Sequence, residues 1–262
     1  MSSDSTPTII VFDSGLGGLT VLREVVALRP DAYYRYVADD AGFPYGRLSD
    51  DALVARMLAI MDEEIAARQP ALVVIACNTA STIALPALRA RFAVPFVGTV
   101  PAIKPACAAS LTKRVSVLGT EATVRREYTH ALIREFGNGS SVALVGSARL
   151  AAFGEAELHG EPAADADLAA EIAPCFIDAD DRRTDTIVLA CTHYPLLLER
   201  FRRLAPWPVT WIDPAPAIAR RVATLLQECP PASERPGAPS FVFTSGSAPP
   251  AELARTLKTF AF

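Results

Sequence analysis

Residues 71–81 read ALVVIACNTAS, and residues 185–195 read DTIVLACTHYP. Each is an apolar run of strand length that ends in Ala-Cys and passes at once into small hydroxyl or amide side chains. Strands that are apolar throughout, rather than alternating, belong to parallel sheets covered on both faces. A thiol placed just after such a strand stands at the carboxyl edge of the sheet, where open α/β sheets bind their ligands. Cys77 and Cys191 occupy the same point in the two copies.

The pattern extends outward from these two stretches. Further strand candidates are TIIVFD, YYRYVAD, PFVGT, RVSVLGT, VALVGS and VTWID. Between them lie segments of helical period such as LTVLREVVAL, DDALVARMLAIMDEEIAAR and VRREYTHALIREF. Strands alternating with helices predict an α/β fold with mostly parallel sheets. TIIVFDSGLGG is echoed by RVSVLGTEATV, and VVIACNTAS by IVLACTHYP. The echo predicts two similar lobes, Rossmann-like or flavodoxin-like and related by a pseudo-twofold, with the active site between them. The first lobe is expected to span residues 1–98 plus 210–262, and the second residues 99–209. The amphipathic IARRVATLLQ and the strand-like SFVFTSG would return the chain to the first lobe. Pro101, Pro105 and the PPASERPGAP stretch fit linkers or surface loops, the last of them mobile.

Composition narrows the function classes. The chain has 262 residues, 51% hydrophobic and 21% charged, which is a globular balance and ample for a core. A net charge of −4 provides no basic field for nucleic acid or an anionic membrane. The opening MSSDSTPT lacks a basic region followed by an apolar stretch, and no apolar run reaches the roughly 20 residues of a membrane span. A cytoplasmic protein is expected. Five cysteines, without a CxxC pair or a Cys/His cluster, argue against a disulfide framework and structural zinc. Cys107, Cys175 and Cys229 read as ordinary thiols.

Several motifs can carry chemistry. Asp13-Ser14-Gly15-Leu16-Gly17-Gly18 follows a strand and opens a helix, but it matches no phosphate-binding spacing. Asp13 is either a helix cap or a carboxylate facing a ligand amine or a neighbouring thiol. Phe43-Pro44-Tyr45-Gly46 is either a simple turn or a set of backbone N–H groups able to hold a carboxylate. Cys77-Asn78-Thr79 sets a thiol at the start of a helix, where the thiolate is favoured. Cys191-Thr192-His193 repeats that arrangement and adds an imidazole able to orient the thiol or relay its proton. His130, His159 and Glu155 gain no role from the sequence alone.

Two thiols need a reason. A hydrolase or transferase built on one nucleophile leaves the second cysteine unused. Redox chemistry favours CxxC or a resolving partner. Inversion at a carbon uses both: one group removes a proton from one face, and a like group delivers a proton to the other. Thiols suit this because their pKa can be tuned toward neutrality. A non-catalytic binding protein for acidic amino acids is the alternative from another class, and solvent deuterium entering at Cα separates the two.

Taken together, VFDSGLGGLTV, FPYG, ACNTAST, VGTVPAIKP and ACTHYPLL resemble the glutamate racemases, the cofactor-independent amino-acid racemases of bacterial cell-wall synthesis. The resemblance runs from Ile10 to about Leu226. It implies that Cys77 serves D-glutamate and Cys191 serves L-glutamate, with Asp13 assisting the first and His193 the second. It places Asp13, Ser14, Asn78, Thr79, Thr192 and His193 around the substrate, and Tyr45 and Gly46 on its distal carboxylate. Glu155 matches an assisting acidic position loosely. No cofactor, no metal, no nucleic-acid partner and no membrane association are implied, and a homodimer is expected. Activation by a cell-wall precursor and a protein partner stay open. One departure is Asp213-Pro214-Ala215, where relatives usually carry Asp-Ser-Gly or similar.

Overall fold

Strands and helices alternate along nearly the whole chain. The computed structural model describes residues 7–227, 229, 237–249 and 251–260. The first elements are β1 (Thr8–Asp13), α1 (Leu19–Leu28), β2 (Tyr33–Ala38), α2 (Asp50–Arg68), β3 (Leu72–Ile75), α3 (Asn78–Arg91) and β4 (Phe96–Gly98). There follow α4 (Ile103–Ala109), β5 (Arg114–Thr120), α5 (Glu121–Arg125), α6 (Glu127–Phe136), β6 (Ser141–Ser147), α7 (Leu150–Leu158) and α8 (Asp165–Ile172). The chain continues through β7 (Asp178–Ala179), β8 (Arg182–Arg183), β9 (Thr186–Ala190), α9 (Leu198–Leu204) and β10 (Thr210–Ile212). It closes with α10 (Ala215–Leu225), β11 (Ser240–Phe243) and α11 (Ala251–Phe260). The opening residues 1–6 and most of the proline-rich stretch, expected as a mobile joint, lie outside the described residues.

The chain divides into two compact units, Met1–Thr99 with Ala215–Phe262, and Val100–Pro214. The first carries a five-stranded sheet in the order β11-β2-β1-β3-β4, and the second a four-stranded sheet in the order β10-β9-β5-β6. Every pairing in these two sheets is parallel. Within each unit the chain lays one strand, adds the next on one side, then crosses to the other side for the third. The first three strands are β1, β2 and β3 in one unit and β5, β6 and β9 in the other. The crossing creates a switch point between first and third strands, the place where doubly wound sheets hold ligands. Cys77 follows β3 and Cys191 follows β9, so each thiol stands at its own sheet's switch point.

Apolar continuity explains these strands. β3 and β9 are buried at every position. The first unit's core gathers Ile10, Phe12, Val73 and Ile75 against Leu53, Met57 and Met61 of α2. Those three recur every four residues, the spacing that puts one stripe of a helix against a sheet. Full burial of each such side chain contributes about 1.5–3 kcal/mol. Ser49 caps α2 by accepting the Ala52 N–H, and Asp50 and Asp51 sit in its first turn, where the helix dipole favours negative charge.

Two local expectations are corrected. VTWID does not open the first lobe's return segment: β10 pairs with β9, so residues 210–214 lie in the second unit. VRREYTHALIREF is not one helix, because Arg126 is extended (ψ 135°) and separates α5 from α6. The acidic 161–185 region contains a small hairpin, β7–β8, turned by Asp180 and Asp181 at φ 53° and 58°. Aspartate tolerates this left-handed backbone, as tight hairpins require.

Candidate functional site

The candidate residues fall into two groups, one in each unit. In the first, Asp13 ends β1 and its side chain is fully buried. One carboxylate oxygen, Oδ2, accepts the Gly15 N–H at 3.2 Å and the Gly18 N–H at 3.1 Å, which folds the glycine loop around the acid. A Cβ on Gly18 would come within 2.8 Å of the Asp13 Cβ and 3.0 Å of the Ala76 Cβ. Only glycine allows this closeness. Ser14, the next residue, places its Oγ 3.6 Å from the Cys77 Sγ.

Cys77 is the N-cap of α3, and its sulfur accepts the Ala80 N–H at 3.5 Å. The open end of a helix favours the thiolate over the thiol. Asn78 and Thr79 follow in the first turn and are buried. Both polar atoms of the Asn78 side chain are buried without a hydrogen-bond partner. A buried amide in that state costs about 1–3 kcal/mol, which marks Asn78 as a candidate to meet a ligand. Tyr45 and Gly46 stand in a short 3₁₀ turn, Tyr45–Arg47, after a cis Phe43–Pro44 bond. The Tyr45 hydroxyl is already engaged, donating to Asp39 Oδ2 at 2.5 Å. What this turn can offer a substrate is backbone.

The second group has a different local basis. Cys191 leads into a 3₁₀ turn, Tyr194–Leu197, and α9 begins only at Leu198. The expectation that both thiols begin α-helices therefore holds for Cys77 alone. At Cys191 the neighbouring polar group is the His193 side chain instead of a helix end. Its Nδ1 lies 3.9 Å from the Cys191 Sγ, and its Nε2 lies 2.6 Å from Glu155 Oε2. Cys191, Thr192 and His193 are all buried. Glu155 reaches the imidazole because its neighbour is Gly154: a Cβ there would meet the His193 carbonyl oxygen at 2.8 Å and its Cβ at 2.9 Å. No local signal singles out Gly154, since glycine inside a helix reads only as a weak helix former.

The other candidates stay apart from these groups or serve structure. Cys107 and Cys175 are buried, and burial pushes the Cys175 thiol up to about 12. His130 is exposed and His159 half-buried. Among the described residues no group of three or more His, Cys, Asp or Glu is placed to hold a metal ion.

Comparison with known proteins places the chain among racemases. The Asp/Glu/Hydantoin racemase family model matches residues 20–222. This chain belongs to that family. Glutamate racemase of Brucella anthropi is 56% identical over 227 residues, covering 86% of this chain and 82% of that one. Glutamate racemase of Agrobacterium fabrum is 52% identical, covering 94% of this chain and 90% of that one. The structure of Escherichia coli glutamate racemase, in complex with L-glutamate and the activator UDP-MurNAc-ala, superposes with a TM-score of 0.90. It is 40% identical and covers 98% of this chain and 96% of that one.

In this family member opposing influences act on the His193 imidazole. Burial opposes its protonation, but the Cys191 sulfur and the Glu155 carboxylate outweigh that and raise its pKa well above 6.5. In the charged imidazole both nitrogens donate, Nε2–H to Glu155 and Nδ1–H toward Cys191. A raised folded-state pKa makes the linked stability complete below about pH 6.5, the ordinary histidine value, and lost as pH rises through the raised value. Glu155→Gln removes a carboxylate that sustains this shift. The alkaline limb of kcat/KM is then expected to move to lower pH. A racemisation pH profile of the variant measures it, and an unmoved limb would assign that limb to another group.

Proposed function

We infer that this chain interconverts L-glutamate and D-glutamate, supplying D-glutamate for peptidoglycan, by proton transfer at Cα between two thiols. The observation that carries the mechanism is the pairing of each strand-end cysteine with its own polar control. Cys77 has the α3 N-terminus and Ser14, next to the buried Asp13. Cys191 has His193 backed by Glu155. A glutamate Cα–H is a weak acid, so its removal needs a thiolate on one face and a thiol ready on the other. The two exchange states between directions. Asp13, Ser14, Asn78, Thr79 and Thr192 are the groups we assign to the α-amino and α-carboxylate groups, and the Tyr45–Gly46 turn to the distal carboxylate.

The high identity to glutamate racemases favours glutamate over shorter acids. The activator UDP-MurNAc-ala in the Escherichia coli complex supports activation of this chain by a cell-wall precursor. We place the protein in the cytoplasm, where free thiols stay reduced. Among the described residues no helix is long and apolar enough to cross a membrane. Circular dichroism of purified protein with either glutamate enantiomer, and no added cofactor, is expected to show decay of optical activity to zero. Decay with aspartate but not with glutamate would move the assignment to an aspartate racemase.

A further inference from the structure

A second buried network lies at the carboxyl edge of the first unit's sheet, and none of its charged members is among the assigned site residues. Asp39 follows β2, and its side chain is fully buried. Its carboxylate is held on both oxygens. Arg56 of α2 donates Nε to Oδ2 and Nη2 to Oδ1, each at 2.5 Å. Thr244, just past β11, donates its hydroxyl to Oδ1 at 2.5 Å, and Tyr45 donates to Oδ2. These bonds outweigh the cost of burial and hold the Asp39 carboxyl below its ordinary range. Burial and the adjacent carboxylate push the Tyr45 phenol up, so it keeps its proton and remains the donor. The space is filled: a Cβ on Gly42 would lie 2.6 Å from Arg56 Nε and 2.7 Å from Asp39 Oδ2.

The network reaches the substrate turn through one side chain. The Tyr45 ring packs in the same core as Cys77 and Phe12, its centroid 6.3 Å from that of Phe12. With the ring set against the core and the hydroxyl tied to Asp39, the backbone of residues 45–46 has little freedom. The Gly46 side faces open space, with nothing within 4 Å of a built Cβ. We infer that Asp39, Arg56 and Thr244 are positioning residues that fix the Tyr45–Gly46 backbone at the distance a five-carbon diacid requires. The inference rests on the reading of that turn as the holder of the distal carboxylate.

Substrate affinity is therefore the quantity these residues control, while the thiols keep their chemistry. The Arg56→Lys variant keeps the charge beside Asp39 but loses the two-pronged geometry. It is expected to raise KM for both enantiomers roughly 10-fold, with kcat within about twofold of the parent. Thr244→Val leaves the ion pair intact and is expected to raise KM about threefold, which keeps the test available if the first variant folds poorly. L-Norvaline, which lacks the distal carboxylate, serves as the competitive probe, and its inhibition constant is expected to stay unchanged in both variants. An unchanged KM for glutamate in both variants overturns the positioning role, whatever happens to thermal stability or active fraction. Equal rises in KM and in the norvaline constant overturn the reading of the turn as the carboxylate holder, and the positioning role with it.

Discussion

Serine in place of either Cys77 or Cys191 is expected to lower glutamate racemisation by about 10²–10⁴-fold or more, the range that removal of a general acid–base group spans. The two side chains are nearly isosteric, so folding should survive, but a hydroxyl does not ionise near neutral pH as a tuned thiol does. L- and D-glutamate are mirror images, and their equilibrium constant in an achiral solvent is one. Any variant must therefore lose kcat/KM equally in both directions. The distinguishing sign is uncoupling of exchange from inversion. Cys191→Ser retains Cys77 and is expected to exchange the Cα proton of D-glutamate with solvent deuterium without inverting it. Cys77→Ser is expected to do the same with L-glutamate. Circular dichroism measures inversion and mass spectrometry the exchange. Near-wild-type inversion in either variant would defeat the two-thiol mechanism.

The second large effect concerns His193. Its Nδ1 is 3.9 Å from the Cys191 sulfur, and its other nitrogen is fixed by Glu155. His193→Asn removes the imidazole that we propose supplies and takes back the proton near Cys191. A loss of about 10²–10³-fold in kcat/KM is expected in both directions, together with loss of the alkaline limb. Exchange of the D-glutamate Cα proton, which uses Cys77, is expected to continue. A variant that loses exchange from both enantiomers alike would show that His193 acts on substrate binding instead of on one thiol. Paired exchange measurements on L- and D-glutamate decide it.

The strand ends were legible in the sequence because their signal is local. The runs before Cys77 and Cys191 are apolar at every position, and in the structure both are buried parallel strands ending at a switch point. The same strand order in both units matches the internal echo of TIIVFD with RVSVLGT and of VVIAC with IVLAC. Long-range pairing was not legible. Asp39 meets Thr244 across 205 residues, and no spacing rule joins an acid after β2 to a threonine after β11. Gly154 carries no local signal because its importance lies in the close approach of α7 to His193, a tertiary fact. The helix break at Arg126 and the sheet chosen by β10 were likewise decided by packing over local propensity.

We propose that two thiols, Cys77 and Cys191, work on opposite faces of one carbon. Racemisation of pure L-glutamate in deuterium oxide, sampled during the first turnovers by chiral separation and mass spectrometry, tests it most directly. Transfer between two groups predicts that the D-glutamate formed carries deuterium at Cα while the remaining L-glutamate keeps its protium. Deuterium entering the remaining L-glutamate as fast as D-glutamate forms would mean that a single base serves both faces, and would contradict the assignment of Cys77 and Cys191.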